Sequence, residues 1–225
     1  MSVSFDPTGP GATRSFEVHN ESLEESIAVE FSVTTREMDE VGKETQAKPP
    51  GIEKWFLIYP PQLILKPKER RTIRVSWRGT GSKALVKQEL AFRLIAEQLP
   101  VKTELKVTPK GANIRMLLKY VAAIYVSPEG AQPHLTLKDS EVLRGATPQL
   151  KLTFQNSGTA HQVLVGPSLK IATKQSHKNL ELPSAELGTL AGQNILAGKT
   201  RSFTLPWPKA LPVEPLEVDF ELSRP

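Results

Sequence analysis

Cysteine is absent from the 225 residues. Its absence removes disulfides, thiolate nucleophiles, Cys-ligated zinc and iron–sulfur clusters together. A chain of this length buries about 70% of its unfolded surface and can fold without covalent staples, in an oxidising compartment or a reducing one. Aromatic residues are only 6%. They do not interleave with the basic residues, so a stacking platform for single-stranded nucleic acid is not expected. No apolar run approaches the roughly 18 residues of a membrane span, and none inserts into a membrane on this reading. The longest such run is residues 120–126. The first residues, Met1 to Asp6, lack the basic and apolar regions of a signal peptide. Either there is no leader, or the chain begins at a mature N-terminus from which the leader has been removed.

Catalytic motifs are missing as well. There is no G-x-S-x-G elbow. Gly79-Thr80-Gly81-Ser82-Lys83 is glycine-rich but lacks the spacing of a phosphate loop, and reads as a hairpin turn. His19, His134, His161 and His177 are isolated, without metal-ligand spacing, and read as surface or loop residues. No pair of carboxylates sits where its two pKa values would separate. The expectation is a protein that is not an enzyme and has neither cofactor nor metal. A formal charge of +5 is mild and says little about nucleic acid. Asn20-Glu21-Ser22 matches a glycosylation sequon, a pattern short enough to recur by chance.

What the chain does have is alternation. Residues 27–33 place Ile27, Val29, Phe31 and Val33 on one face; residues 72–77 do the same with Ile73, Val75 and Trp77; residues 90–97 with Leu90, Phe92 and Leu94. Turn signals recur at the 8–12-residue spacing of an all-β sandwich, among them Pro60-Pro61 and Lys66-Pro67-Lys68-Glu69. Residues 114–126 read as one long strand of thirteen residues, against a usual five or six. Ile114, Met116, Leu118, Tyr120, Ala122 and Ile124 make one of its faces, and that face is apolar throughout. The pattern breaks at Pro128-Glu129-Gly130 and a second β series follows. Two domains are therefore expected, 1–128 and 129–225. Arg70, Arg74 and Arg78 alternate with the core positions of their strand and should form an exposed basic stripe.

Three stretches, in this order, carry a resemblance. The first runs from Trp55 through Tyr59-Pro60-Pro61 and Leu65-Lys66-Pro67 to Val75. The second is Glu89 to Pro100, and the third is Lys119 to Pro128. Ahead of them stand Val3 to Pro7 and Phe16 to Asn20. Together they resemble the periplasmic pilus chaperones of the chaperone–usher pathway, the PapD-like proteins, over most of residues 3–128 and weakly beyond. The resemblance implies an all-β protein of two immunoglobulin-like β-sandwich domains in a bent, L-shaped arrangement about a hinge at Pro128–Gly130. It implies a chaperone that completes pilus or fimbrial subunits by donor-strand complementation and delivers them to an outer-membrane usher. The subunit-binding strand would be that of Ile114, Met116, Leu118 and Tyr120. It further implies a periplasmic location, a cis peptide bond before Pro60, and possible self-association of the free chaperone.

The sequence departs from the family at one point. Well-known members grip the subunit's terminal carboxylate with an Arg early in the first strand and a Lys late in the last. Those positions fall near Ser2 and Ala123 here, and neither is basic. Either the anchor differs here or the chain belongs to a divergent branch, and Arg93 and Lys119 are the candidate replacements. The alternative from a different class is an immunoglobulin-like or major-sperm-protein-like interaction module with no chaperone role.

Overall fold

The computed structural model describes residues 2–79, 86–100 and 116–223. The chain divides into two compact units. One comprises Met1–Arg36, Gln46–Val86 and Leu90–Glu129; the other comprises Glu37–Thr45, Lys87–Glu89 and Gly130–Pro225. Both are built almost wholly of strands, as alternating sequences require.

The first unit is formed by β1 (Ser2–Phe5), β2 (Thr13–His19), β3 (Ile27–Met38) up to Arg36, β4 (Glu44–Ala47) from Gln46, β5 (Phe56–Tyr59), β6 (Gln62–Leu65), β7 (Arg70–Trp77), β8 (Leu90–Leu99) and β9 (Lys119–Val126). One sheet has the order β1-β9-β8-β3-β4, with β6 also paired to β3; the facing sheet has the order β2-β7-β5. The chain changes sheets at Pro60-Pro61: β5 pairs with β7, and β6 with β3. Neither proline can donate to a ladder, so pairing must stop there. The Tyr59–Pro60 bond is cis. Between the sheets Phe56 meets Phe5, Trp77 and Phe92 edge-on, at centroid distances of 5.9, 5.0 and 5.0 Å. Edge-to-face contact suits the ring quadrupoles and adds to the burial of these large side chains.

The strand expected over residues 114–126 is shorter in the structure. β9 begins at Lys119 and has eight residues. Its ladder with β8 ends at the pair Glu97↔Lys119, two residues before β8 itself ends at Leu99. Met116 to Leu118 precede the strand, although the Gln98 N–H still donates to the Leu118 carbonyl at 2.9 Å. Ile114 lies outside the described residues.

The second unit is formed by β10 (Leu135–Leu143), β11 (Gln149–Asn156), β12 (Gln162–Val163), β13 (Pro167–Thr173), β14 (Asn179–Leu182), β15 (Asn194–Ile195), β16 (Thr200–Pro206) and β17 (Leu216–Leu222). Sheets β10-β11-β16 and β14-β13-β17 enclose a core that includes Leu150, Leu152, Phe154, Leu169 and Ile171. Two earlier segments belong to this unit. The Ser202 N–H donates to the Glu40 carbonyl at 2.7 Å, and the Ser202 hydroxyl to Glu40 Oε1 at 2.6 Å. The Glu89 N–H donates to the Thr159 carbonyl at 2.8 Å, and Glu89 Oε1 lies 2.6 Å from His161 Nδ1.

Candidate partner-binding edge

β9 is covered unevenly along its length. On one side it pairs with β8 throughout. On the other side β1 runs parallel to it, but only from Ser2↔Ala123 to Phe5↔Val126. Among the described residues, Lys119 to Ala122 have no strand on that side.

Exposure follows this coverage along one face of the chain. Val126 and Ile124 are fully buried, Ala122 is half-buried, and Tyr120, Leu118 and Met116 are 67%, 50% and 78% exposed. Residues two apart in a strand point to the same side. The face that fills the unit's own core at Ile124 and Val126 therefore continues outward as apolar surface. The opposite parity carries Leu117 and Val121, 46% and 44% exposed, on either side of Lys119. An unpaired edge bearing exposed apolar side chains is a template for another strand.

A groove of about 780 Å³ opens between β2 and this part of β9. Phe16, Phe31, Ile73 and Leu94 line it, with Ala96, Tyr120 and Ala122 toward β8 and β9. Nothing in the sequence singled out Phe16 or Ala96 as lining a groove. Their alternation marked a core face, and only the topology shows that this face is left open.

The two candidate anchors separate cleanly. Arg93 is the cross-strand partner of Ala123 on one side and of Thr34 on the other, and Ala123 is in turn the partner of Ser2. Residues directly opposite share a face with Cβ atoms about 4.5–5.5 Å apart. Thr34, Arg93, Ala123 and Ser2 thus form one row across the sheet. In the adjacent part of the sheet, buried Arg36 donates through Nη1 to the Tyr125 hydroxyl at 2.7 Å. Lys119 lies four residues up β9 from Ala123, about 13 Å at 3.3 Å per residue. Its ammonium is 3.4 Å from Glu97 Oε2, both side chains about half exposed.

The remaining candidates resolve simply. Arg70, Arg74 and Arg78 are exposed, and Arg70 Nη1 donates to Glu17 Oε1 at 3.0 Å. Asn20 of the sequon is 2% exposed, and its amide nitrogen donates to the carbonyls of Glu25, Leu65 and Lys66, so the sequon is part of the fold. Among the described residues no group of three or more His, Asp or Glu is placed to hold a metal ion.

A family profile, Pili and flagellar-assembly chaperone, PapD N-terminal domain, matches residues 8–132. The chain belongs to this family of pilus-assembly chaperones. No curated protein matches it at a significant level. Solved structures extend the likeness in fold to the second unit. One is described as a chaperone–tip adhesin complex of CFA/I fimbriae biogenesis, at 15% identity and TM-score 0.56, covering 98% of this chain and 95% of that one. A second is the CsuC–CsuE chaperone–tip adhesion subunit pre-assembly complex, from archaic chaperone-usher Csu pili of Acinetobacter baumannii. It matches at 14% identity and TM-score 0.56, covering 97% and 94%. A third is the class 5 fimbriae chaperone CfaA, at 13% identity and TM-score 0.55, covering 98% and 96%.

Proposed function

We propose that this chain is a periplasmic chaperone that binds pilus subunits along the open edge of β9 and passes them to an outer-membrane usher. The observation that carries the reading is the gradient along alternate residues, from buried Ile124 through exposed Tyr120 in β9 to exposed Leu118 and Met116 just before it. A strand that is core at one end and apolar surface at the other is suited to being shared between two sandwiches. Main-chain hydrogen bonds would hold a subunit of any sequence, and the alternating side chains would fill its incomplete core. Ile114, one step further along the same parity, belongs to the same set. Full burial of each apolar side chain contributes about 1.5–3 kcal/mol. Three of them supply a large part of the roughly 8 kcal/mol of micromolar binding, before association costs. The chaperone role needs no cofactor and no catalysis. The domains of this reading are 1–128, which carries the edge, and 129–225.

Arg93 is the carboxylate anchor of this reading, because it is the cross-strand partner of Ala123, which pairs in turn with Ser2, and these are the positions at which the resemblance places the basic pair. Guanidinium binds a terminal carboxylate through two parallel hydrogen bonds.

The test is co-expression of the chaperone with the pilus subunits encoded beside its gene, followed by co-purification from periplasm. Met116→Glu and Leu118→Glu place charge on surface that is already exposed, so they leave the fold intact and abolish capture. Folded Glu variants that capture subunits as the parent does would refute the donor-strand assignment.

A further inference from the structure

Sulfur is scarce in this chain. There is no cysteine, and methionine occurs only at positions 1, 38 and 116. Every oxidisable sulfur is therefore a thioether. The two that the structure describes differ sharply. Met38 ends β3 and is partly buried. Met116 stands just before β9 and is 78% exposed, more than any other large apolar side chain among the described residues. It shares its parity with Leu118, Tyr120, Ala122 and Ile124, the last two of which pack in the core of the first unit.

We infer that Met116 is a site of reversible oxidation, and that its oxidation switches partner binding off. The reagent class is a two-electron oxidant such as hypochlorous acid. The thioether sulfur gives an electron pair to the chlorine of HOCl and hydroxide leaves; water then displaces chloride from sulfur. The net products are methionine sulfoxide, chloride and a proton. Sulfur is oxidised, and chlorine takes the two electrons. Methionine sulfoxide reductases return the sulfoxide to the thioether, so the step is reversible. The inference rests on the reading that Met116 to Tyr120 enter a subunit, and it concerns how that site is regulated. Oxidation turns a flexible apolar side chain into a polar one where the complex must be dry. The sulfoxide oxygen accepts hydrogen bonds, an apolar partner surface supplies no donor, and burying it there is unfavourable. In the free chain the same oxygen faces water. The ladder of β9 with β8 begins only at Lys119, so the fold does not feel the change. Reactivity depends on occupancy as well. The empty chaperone presents this sulfur to solvent, whereas a bound subunit covers it and shields it from the oxidant.

The experiment treats the purified full-length chain with equimolar hypochlorous acid and locates the added oxygen by peptide mass. Capture is then measured by diluting the urea-denatured pilus subunit encoded beside its gene into the chaperone. Met116 should gain an oxygen ahead of Met38, with Tm unchanged and subunit affinity lowered about tenfold or more. Treatment with methionine sulfoxide reductase should restore capture. Met116→Leu keeps an apolar side chain without sulfur and should bind as the parent does, before and after the oxidant. Met116→Gln, polar and of similar length, should bind as weakly as the oxidised parent. In a complex formed before treatment, Met116 should stay reduced. If Met116→Leu loses capture on oxidation as the parent does, the lesion lies elsewhere and the inference is overturned. A parent oxidised at Met116 that captures normally overturns it equally. Leu118→Glu, without oxidant, separates this inference from the donor-strand reading. Lost capture by that variant beside an oxidation-insensitive parent overturns the inference alone. Normal capture by it overturns the donor-strand reading and the inference with it.

Discussion

Asn20 and Asn156 occupy the same place in the two units. Asn20 ends β2's run into a turn and donates through Nδ2 to the carbonyls of Leu65 and Lys66; Asn156 ends β11 and donates to those of Ile195 and Leu196. Each side-chain oxygen accepts the N–H two residues on, from Ser22 and from Gly158. Each backbone N–H donates to the residue before the next paired strand, Glu69 or Lys199. Both asparagines are at most 2% exposed. One construction, a buried amide that ties a strand end to a turn, is used twice.

Replacing either asparagine by Ala leaves the turn carbonyls without their donor. Unsatisfied buried groups cost about 1–3 kcal/mol each. Asn20→Ala and Asn156→Ala should each lower unfolding free energy by about 2–3 kcal/mol in urea titrations, allowing for partial rescue by water. The two losses should match closely. A neutral substitution at either site would show that the turn is held by other means.

The duplicated turns differ at one informative position. Lys68 has φ of 60° and Gly198 has φ of 69°. The left-handed region costs a side-chain-bearing residue about 1–2 kcal/mol, and glycine nothing comparable. A Cβ added at Gly198 would meet only Gln88 Oε1, at 3.8 Å, so space is not the obstacle. Gly198→Ala should therefore destabilise by about 1 kcal/mol. Lys68→Gly should be neutral or stabilising by up to about 0.5 kcal/mol, since it also gives up the exposed Lys68 Nζ bond to the Glu21 carbonyl. Opposite signs at equivalent positions, read by thermal unfolding, are the check.

These turns show what sequence can and cannot disclose. Lys66-Pro67-Lys68-Glu69 announces a turn through its proline. Ile195 to Lys199 carries only one glycine, and the shared asparagine network runs to backbone carbonyls, which leave no trace in residue identity. Strands with a clear apolar face, such as β3, β7 and β8, were legible because alternation is the signature of a half-buried strand. The short polar strands β4 and β14 were not, since their partners rather than their own residues hold them. The apolar face of Met116, Leu118 and Tyr120 was visible as a pattern. That the strand starts only at Lys119, opposite Glu97, depends on its pairing with β8, which is a tertiary fact. His161 reads as a loop histidine, and its short contact with Glu89 spans 72 residues of chain.

Acid sensitivity follows from Glu214. Its side chain is buried and accepts from the Ser176 hydroxyl at 2.5 Å and the Ser176 N–H at 2.9 Å. These bonds, the hydroxyl first, hold its carboxyl below the ordinary value of 4.5. A carboxylate whose folded pKa lies below its unfolded one contributes stability that is complete above about pH 4.5 and is lost as pH falls through the folded value. Glu214→Gln should thus be less stable than the parent near neutrality, and the difference should shrink as the pH is lowered below 4.5. Tm measured across that range reads the effect. A difference that stays constant with pH would mean the carboxylate's charge is immaterial there.

The choice between Arg93 and Lys119 is decided by which loss the subunit feels. Lys119 already has Glu97 at 3.4 Å in a half-exposed pair, and such pairs are worth about 0.2–1 kcal/mol. It also stands about 13 Å up the strand from Ala123. Arg93 shares a row with Ala123 and Ser2. A charge-assisted bidentate bond lost from a bound carboxylate should cost about 1.5–3 kcal/mol, which is roughly a 10–150-fold weaker complex. Arg93→Ala should accordingly reduce subunit affinity by at least tenfold, and Lys119→Ala by no more than about fivefold. Arg93→Lys should recover part of the loss, because it restores the charge but not the planar fork. The discriminating probe is a subunit with an amidated C-terminus, which removes the carboxylate. It should bind the Arg93→Ala variant and the parent about equally. If the amidated subunit still distinguishes them, Arg93 acts through the fold of the sheet, and the anchor lies elsewhere.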